Sequence, residues 1–429
     1  MGNFKARMLN ADGRRLIADC RLLLAFLLLF MGGCSQERGD LTARVEELIR
    51  EGASEEAWDL VERRLHQAPH DRTARRLKVE LLVEARALDE ALREYLQLWQ
   101  TEEESYPDLL NRILNAYLQE EVEAGGAYRV RAAPLVARLA DPSLLPILYR
   151  LASKGDPAAR TVAIGALSRL GSGVALSFLV SLLQDADPYV KAESARALGR
   201  LGVDAARTHL CPLLKDDREM VRVAAAEALA RLGDLRATPL LLQGLRSEQP
   251  SIRMQAVEAL GELGTRDVLR ALFRGLDDSD RYVRLYVAQA LARLGETEGL
   301  TVLRRALKDP SLSLRLYAAE VLTDLQDSTP RPLLHRVVAD PALAKEVRLY
   351  AAWILGRLDD PSGIRHIRGL LQDANPYIRL RAAWTLGEIG SPQASPVLRA
   401  ALQDRERAVR IHAAWALTHL FRQRPLPRG

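Results

Sequence analysis

A basic residue preceded by an aliphatic one returns along this chain at almost fixed spacing, and that register constrains the fold more than any other feature. The series is Arg160, Lys191, Arg222, Arg253, Arg284, Arg315, Arg348, Arg379 and Arg410, in which seven of the eight intervals are 31 residues and one is 33. Arg129 stands one period upstream, in a degenerate copy that contains Pro134. A period of this length holds two short helices and their turns, a unit too thin to bury an apolar face by itself. Copies must therefore stack, each covering the next.

The punctuation inside each period supports helices. An N-cap followed by Pro opens the second helix at Asp156-Pro157, Asp187-Pro188, Asp340-Pro341 and Asn375-Pro376. Small residues follow the basic one, as in Ala195, Ala197 and Gly199, or Ala382, Ala383 and Gly387. Gly171, Gly202, Gly233, Gly264, Gly295 and Gly390 stand where a left-handed C-cap is expected. Aromatics make up only 5% of the chain, which favours thin two-helix layers over one thick core.

These residues resemble the short HEAT-like repeats of the phycobilisome lyase type, over about residues 126–420. The resemblance implies an all-α, right-handed α-solenoid of about ten 31-residue hairpins. At about 10 Å per layer the arc would measure roughly 100 Å. It also implies a ladder between successive repeats, from an Asp six residues before each basic position. Asp185, Asp216, Asp278, Asp309, Asp373 and Asp404 occupy that offset before Lys191, Arg222, Arg284, Arg315, Arg379 and Arg410. Ser247 and Lys154 interrupt it, and Asp340 fits only after the two-residue insertion. Such Asp and Arg residues are expected to tie layers together rather than to act as acid and base.

In such families the Arg-bearing helix lines a concave wall, so positions two, five and nine after each basic residue should project into it. Early layers place polar residues there: Glu193, Arg196, Arg200, Glu227, Arg231, Gln255 and Glu258. Later layers turn aromatic, with Tyr286, Tyr317 and Tyr350 at the second position and Trp353, Trp384 and Trp415 at the fifth. Arg357, Arg381 and His412 border this strip, as does His419, and would suit an acidic partner. Two readings stand. The strip is a partner surface, or it shields the last layer, which has no second helix after Leu420.

The N-terminus has another logic. Lys5, Arg7, Arg14, Arg15 and Arg21 precede an apolar run from Leu22 to Met31, too short for a membrane span, followed by Gly32, Gly33 and Cys34. Met31-Gly32-Gly33-Cys34 resembles a bacterial lipobox, which implies cleavage after residue 33 and acyl groups on Cys34. Residues 34–40 would then be a linker, and Ser35 in place of Asp points to the outer membrane, facing the periplasm. Five basic and two acidic residues precede Cys34, so from there on 56 Lys and Arg face 54 Asp and Glu. That balance is not the signature of a nucleic-acid binder. Residues 41–123 carry helical apolar stripes in which Ala57 recurs as Ala91 after 34 residues, with Leu88 and Tyr95 nearby. They resemble tetratricopeptide repeats, although Arg64 stands where that family has Ala. Residues 421–429 read as a disordered tail.

Chemistry-bearing patterns are scarce. None of the seven His belongs to a spaced metal pair, and none precedes Glu, as in the iron-binding dipeptides of HEAT-like deoxyhypusine hydroxylases. Cys211 lies in an apolar context and reads as a buried thiol. The expectation is therefore a non-enzymatic scaffold without cofactor, metal or nucleic acid. It would be tethered to the membrane by its acyl groups and bind a protein or peptide of the cell envelope. The alternatives are a bilin lyase-like chromophore attachment factor and an assembly factor for envelope complexes.

Overall fold

The computed structural model describes residues 37–100, 106–124, 134–139, 144–170 and 173–423. Cys34 and the segment before it lie outside the described residues, as does Arg129. Among the described residues the protein is all-α, without strands, and no helix is long and apolar enough to cross a membrane.

The chain divides into two compact units. The first comprises residues to Tyr117, with Leu402–Arg405 and the segment from Phe421. Its helices are α1 (Glu37–Arg50), α2 (Ser54–Gln67), α3 (Arg72–Glu84), α4 (Leu88–Gln100) and the first part of α5 (Pro107–Ala124). Helix α1 begins inside the stretch expected to be a linker. Val45, Leu48, Ala57, Val61, Ala74, Leu77 and Leu81 form the core between the first three helices. The Asp71 carboxylate caps α3 through the Ala74 N–H at 3.1 Å and takes Arg64 Nε at 2.7 Å. That ion pair is the structural use of the arginine found where a small residue was expected. Gly52 and Arg86, 34 residues apart, both adopt left-handed backbone where the first helix of a pair ends, at φ 76° and 55°.

The second unit, Leu118–Ala401 with Glu406–Leu420, is the repeat array. Its Arg-bearing helices are α6 (Pro157–Leu170), α7 (Pro188–Leu201), α8 (Glu219–Arg231), α9 (Pro250–Leu263) and α10 (Arg281–Arg293). They continue as α11 (Leu312–Asp324), α12 (Lys345–Arg357), α13 (Pro376–Ile389) and α14 (Arg407–Gln423). Three caps are those the sequence announces, with Asp156 accepting the Ala159 N–H, Asp187 the Tyr189 N–H and Asn375 the Tyr377 N–H; Asp280 caps α10 in the same way, whereas Asp340-Pro341 does not open α12, which starts at Lys345 after Ala344. Each helix buries a stripe of small and aliphatic residues, such as Ala195, Ala197 and Leu198 in α7. Where layers meet, contact is backbone-close: a Cβ on Gly199 would stand 2.6 Å from Ala228 Cα.

Two expectations are corrected. Helix α14 runs to Gln423, so Phe421–Gln423 are helical and not part of a disordered tail. Phe421 is held by an edge-on contact with Trp99, centroids 5.8 Å apart, both within the first unit. Cys211 is exposed rather than buried, because its segment is a short 3-10 turn that leaves it on the surface.

Among the described residues of the repeat array, left-handed C-caps close five helices at glycine, whereas the equivalent places in α11 and α12 are held by Gln326 (φ 61°) and Asp359 (φ 57°). A side chain in that region costs about 1 kcal/mol relative to glycine, less for Asp than for most residues. Gln326→Gly should therefore raise the urea midpoint, by about 1 kcal/mol in stability, and Asp359→Gly by less. A midpoint unchanged or lowered in both variants would show that these caps carry no strain.

Candidate functional site

The site rests on the ladder that holds successive layers in register. Arg160 pairs with Asp185, Lys191 with Asp216 at 3.3 Å, and Arg253 with Asp278 through two contacts of 2.8 Å. Each Asp also caps its own turn, as Asp278 accepts the Asp280 N–H at 2.8 Å. One carboxylate thus joins a turn to the layer before it.

Elsewhere the expected rungs are redistributed. Arg222, Arg284 and Arg315 turn back onto carbonyls of their own loops, as Arg222 does to Asp216 at 2.8 Å and Asp217 at 3.0 Å. The crossing to Asp309 and Asp373 is made by residues three positions earlier, Arg281 at 3.0 Å and Lys345 at 2.6 Å. Three residues is nearly one helical turn, so a long side chain there reaches the same carboxylate. Asp404 and Arg410 hold the same places in the last layer, both half-buried.

Positions two, five and nine form a continuous stripe across the layers. Its first half is ionic. Arg196 reaches Glu193 at 3.4 Å and Glu227 at 3.1 Å, and Arg231 reaches Glu227 at 2.9 Å and both Glu262 oxygens at 2.7 Å. Burial raises the Glu227 carboxyl, against the pull of Arg196 and Arg231. Burial also lowers the Arg169 guanidinium, and Arg200 and Arg138 lower it further.

The second half is aromatic. Tyr286 stacks on Tyr317 at 5.5 Å and 14°, and the Tyr317 hydroxyl donates to Gln289 at 3.2 Å. Tyr350 donates to Glu320 and stacks on Trp353 at 5.6 Å, and Arg357 lies 5.0 Å over the Trp353 ring while pairing with Asp324. Desolvation raises both Tyr317 and Tyr350, keeping them as neutral hydrogen-bond donors.

At the end of the array the partner-surface reading fails. Trp415 is 0% exposed, stacked between Trp384 at 4.5 Å and His419 at 5.5 Å. His412 is buried too, with Nδ1 on the Ala408 carbonyl at 2.7 Å. Within the same unit the beginning of the array supplies a cover: Arg138 lies 5.8 Å over Trp384 and pairs with Glu388 at 3.1 Å, and Arg407 pairs with Glu120 and with Glu121. Trp415 and His412 are thus structural. Trp353 and Trp384 remain half-buried, and Arg381 is exposed.

One row escaped the sequence reading. Tyr189 (64% exposed), Tyr282 and Tyr377 (54%) stand two residues before a basic position, one helical turn ahead of the second-position row and on the same face. Tyr282 meets Tyr317 edge-on at 6.3 Å. The signal was the motif of N-cap, one residue and Tyr, recurring in three layers. Among the described residues no three His, Cys, Asp or Glu side chains converge as a metal site.

The family described as HEAT repeats matches residues 122–199, 176–252, 238–323 and 342–418. No curated protein matches the chain. Among solved structures, human deoxyhypusine hydroxylase in complex with glycerol is 22% identical over 68% of this chain and 100% of its own, with a TM-score of 0.27. The CpcE–CpcF complex of phycocyanin lyase from Nostoc sp. PCC7120 is 22% identical over 58% and 96%, with a TM-score of 0.35. A complex of Kap95p with RanGDP is 15% identical over 98% and 60%, with a TM-score of 0.33.

Two outcomes follow. Trp415→Ala should cost about 3–5 kcal/mol in equilibrium unfolding, as for other buried aromatics, and the half-buried Trp353→Ala clearly less; similar losses would contradict the assignment. Burial alone would raise the Asp278 carboxyl, but Arg253 and the Asp280 N–H hold it below the ordinary range. Its contribution is thus present above about pH 4 and lost as pH falls through the lower folded value. Asp278→Asn should flatten the acid limb of the stability–pH curve, and an unchanged limb would discount the rung.

Proposed function

We propose, from the premise that this chain belongs to the HEAT-repeat family, that it is a non-enzymatic scaffold, lipid-anchored at Cys34, which binds a protein or peptide along its stripe. The observation that carries this reading is the stripe itself. Rows of partly exposed Tyr, Trp and Arg recur at one position through successive layers, held by ladder pairs and stacking, and so form a pre-organised contact surface. Tyr and Arg are the residues that supply most binding energy at interfaces.

The anchor rests on Cys34 and its preceding apolar run, and the envelope, with the outer membrane facing the periplasm, is the compartment that follows. The 34-residue recurrence of left-handed backbone at Gly52 and Arg86 favours a tetratricopeptide-like first unit, serving as spacer or second docking element.

Cells given a palmitate analogue should label the parent protein and leave Cys34→Ser unlabelled and released from the membrane fraction. Equal labelling removes the tether. A photo-crosslinking residue at Arg381 or Tyr377 should capture a discrete envelope protein, and one at exposed Leu235, on the other helix of its hairpin, should not. Capture from Leu235 alone removes the stripe.

A further inference from the structure

The other helix of each hairpin carries a charge pattern of its own. In the last five layers these helices are Arg266–Gly275, Thr297–Ala306, Arg331–Ala339, Pro361–Leu370 and Ser395–Ala401, all within the second unit. Residues at i, i+3 and i+4 share one helix face. The register lines up five such triplets, which begin at Arg270, Thr301, Pro332, Arg365 and Pro396. Eight of their fifteen positions are arginine, one is histidine and none is acidic. All but Phe273 and Arg399 are exposed. The same triplets of the three preceding layers, beginning at Ser177, Thr208 and Pro239, hold no charge, so the basic face belongs to one part of the array.

Internal partners reach few of these charges. Asp267 pairs with Arg270 at 3.7 Å, Asp327 with Arg304 at 2.7 Å and Asp360 with His335 at 3.0 Å. Among the described residues no carboxylate pairs with Arg274, Arg305, Arg336, Arg365 or Arg368. The exposed acids of the helix ends and adjoining turns, Asp277, Glu298, Asp340 and Asp359, are offset by Lys308 and Arg331, which leaves two carboxylates for five guanidiniums. Arg274, Arg305 and Arg336 recur at intervals of 31 residues, so like charges follow one another from layer to layer. That arrangement costs energy until an anion offsets it.

The make-up of the face selects its counterpart. Guanidinium forks match phosphate and hold it through paired hydrogen bonds. The exposed large apolar side chains, Tyr189, Leu235, Tyr282 and Tyr377, all lie elsewhere. The face therefore has neither the aromatic anchors of a protein interface nor the stacking platform of a single-stranded nucleic-acid site. What remains is a diffuse anionic surface, and a chain tethered at Cys34 meets headgroup phosphates at high effective concentration. We infer that this face lies on the anionic phospholipid headgroups of the membrane that holds the anchor. This rests on the anchor reading and gives it an orientation: the basic helices turn to the lipid, and the stripe, on the other helix of each hairpin, is left to the partner.

The test uses the full chain with Cys34→Ser, so that binding does not depend on acylation. It is sedimented with vesicles of phosphatidylcholine alone or of equal parts phosphatidylcholine and phosphatidylglycerol. The chain should prefer the anionic vesicles and lose that preference in salt. Joint replacement by Arg305→Gln, Arg336→Gln and Arg368→Gln should lower the anionic partition coefficient about a hundredfold, at about fivefold per residue. The same three positions replaced by Lys should retain most of the binding, which separates charge from structure. Arg50→Gln, Arg63→Gln and Arg93→Gln, removing equal charge from the exposed surface of the first unit, should change it less than about twofold. Residues 1–33 are common to every variant, so their contribution cancels. Equal sedimentation with both vesicle types, equal losses in the two Gln triple variants, or tighter binding to a single-stranded oligonucleotide at equal phosphate concentration overturns the assignment. Vesicle binding without palmitate labelling of the parent in cells would instead fault the anchor and leave the basic face standing.

Discussion

Backbone-close contact between successive helices is the condition on which the repeat unit depends. Gly199 meets Ala228, Gly261 meets Ala290, and Gly387 meets Ala416, each with a hypothetical Cβ within 3.0 Å of its neighbour. Such approach fixes the rise per layer, so helices nearly identical in length and phase must follow one another. The 31-residue register is the sequence record of that geometry. Once it is imposed, every position on the helix acquires a row: the small residues become the layer contact, the aliphatic ones the hairpin core, and the remaining face the stripe.

The ladder works within that frame. An Asp that caps its own turn and accepts a cation from the preceding layer couples local structure to stacking, and the carboxylate's low titration range reflects both bonds. What the frame demands is a cation within reach, not a particular residue number. Arg281 and Lys345 can therefore replace the expected partners, while Arg222, with Ser247 opposite it, turns to its own loop and Glu219 bonds the serine instead at 2.9 Å. Ladders of this kind tolerate exchange because the side chains involved are long and nearly one turn apart.

The period, the caps, the Asp offset and the aromatic rows were legible in the sequence because each depends on residues within one or two repeats. The left-handed caps at Gln326 and Asp359 were not, since no glycine marks them and only the register places them there. The fate of the tryptophans was not legible for a different reason. Trp353, Trp384 and Trp415 have the same local sequence, Ala-Ala-Trp, yet only Trp415 is fully buried. Exposure at a fixed register depends on the layers that flank it, and Arg138, more than two hundred residues upstream of Trp384, is invisible to any local pattern. Stacking of Trp415 between Trp384 and His419 then completes what a further repeat would otherwise cover.

The row nine residues after each basic position shows why the stripe can serve recognition without destabilising the array. From Arg231 it reads Glu262, Arg293, Asp324, Arg357 and Glu388, an alternation of sign, and Arg138, one period before Arg169 in the same row, closes on Glu388. From Arg231 onward neighbouring layers therefore attract along the row, as in Arg231–Glu262 and Asp324–Arg357, whereas Arg138, Arg169 and Arg200 before it share one sign and disfavour the charged form of Arg169. Half-exposed pairs of this kind add little stability each, but they hold side chains in place beforehand and lower the entropy lost when a partner arrives. Neutralisation has a second effect. With most charges committed to neighbours, the few exposed ones that are not, Arg381 among them, dominate the field a partner meets, so specificity concentrates where the internal pairing stops.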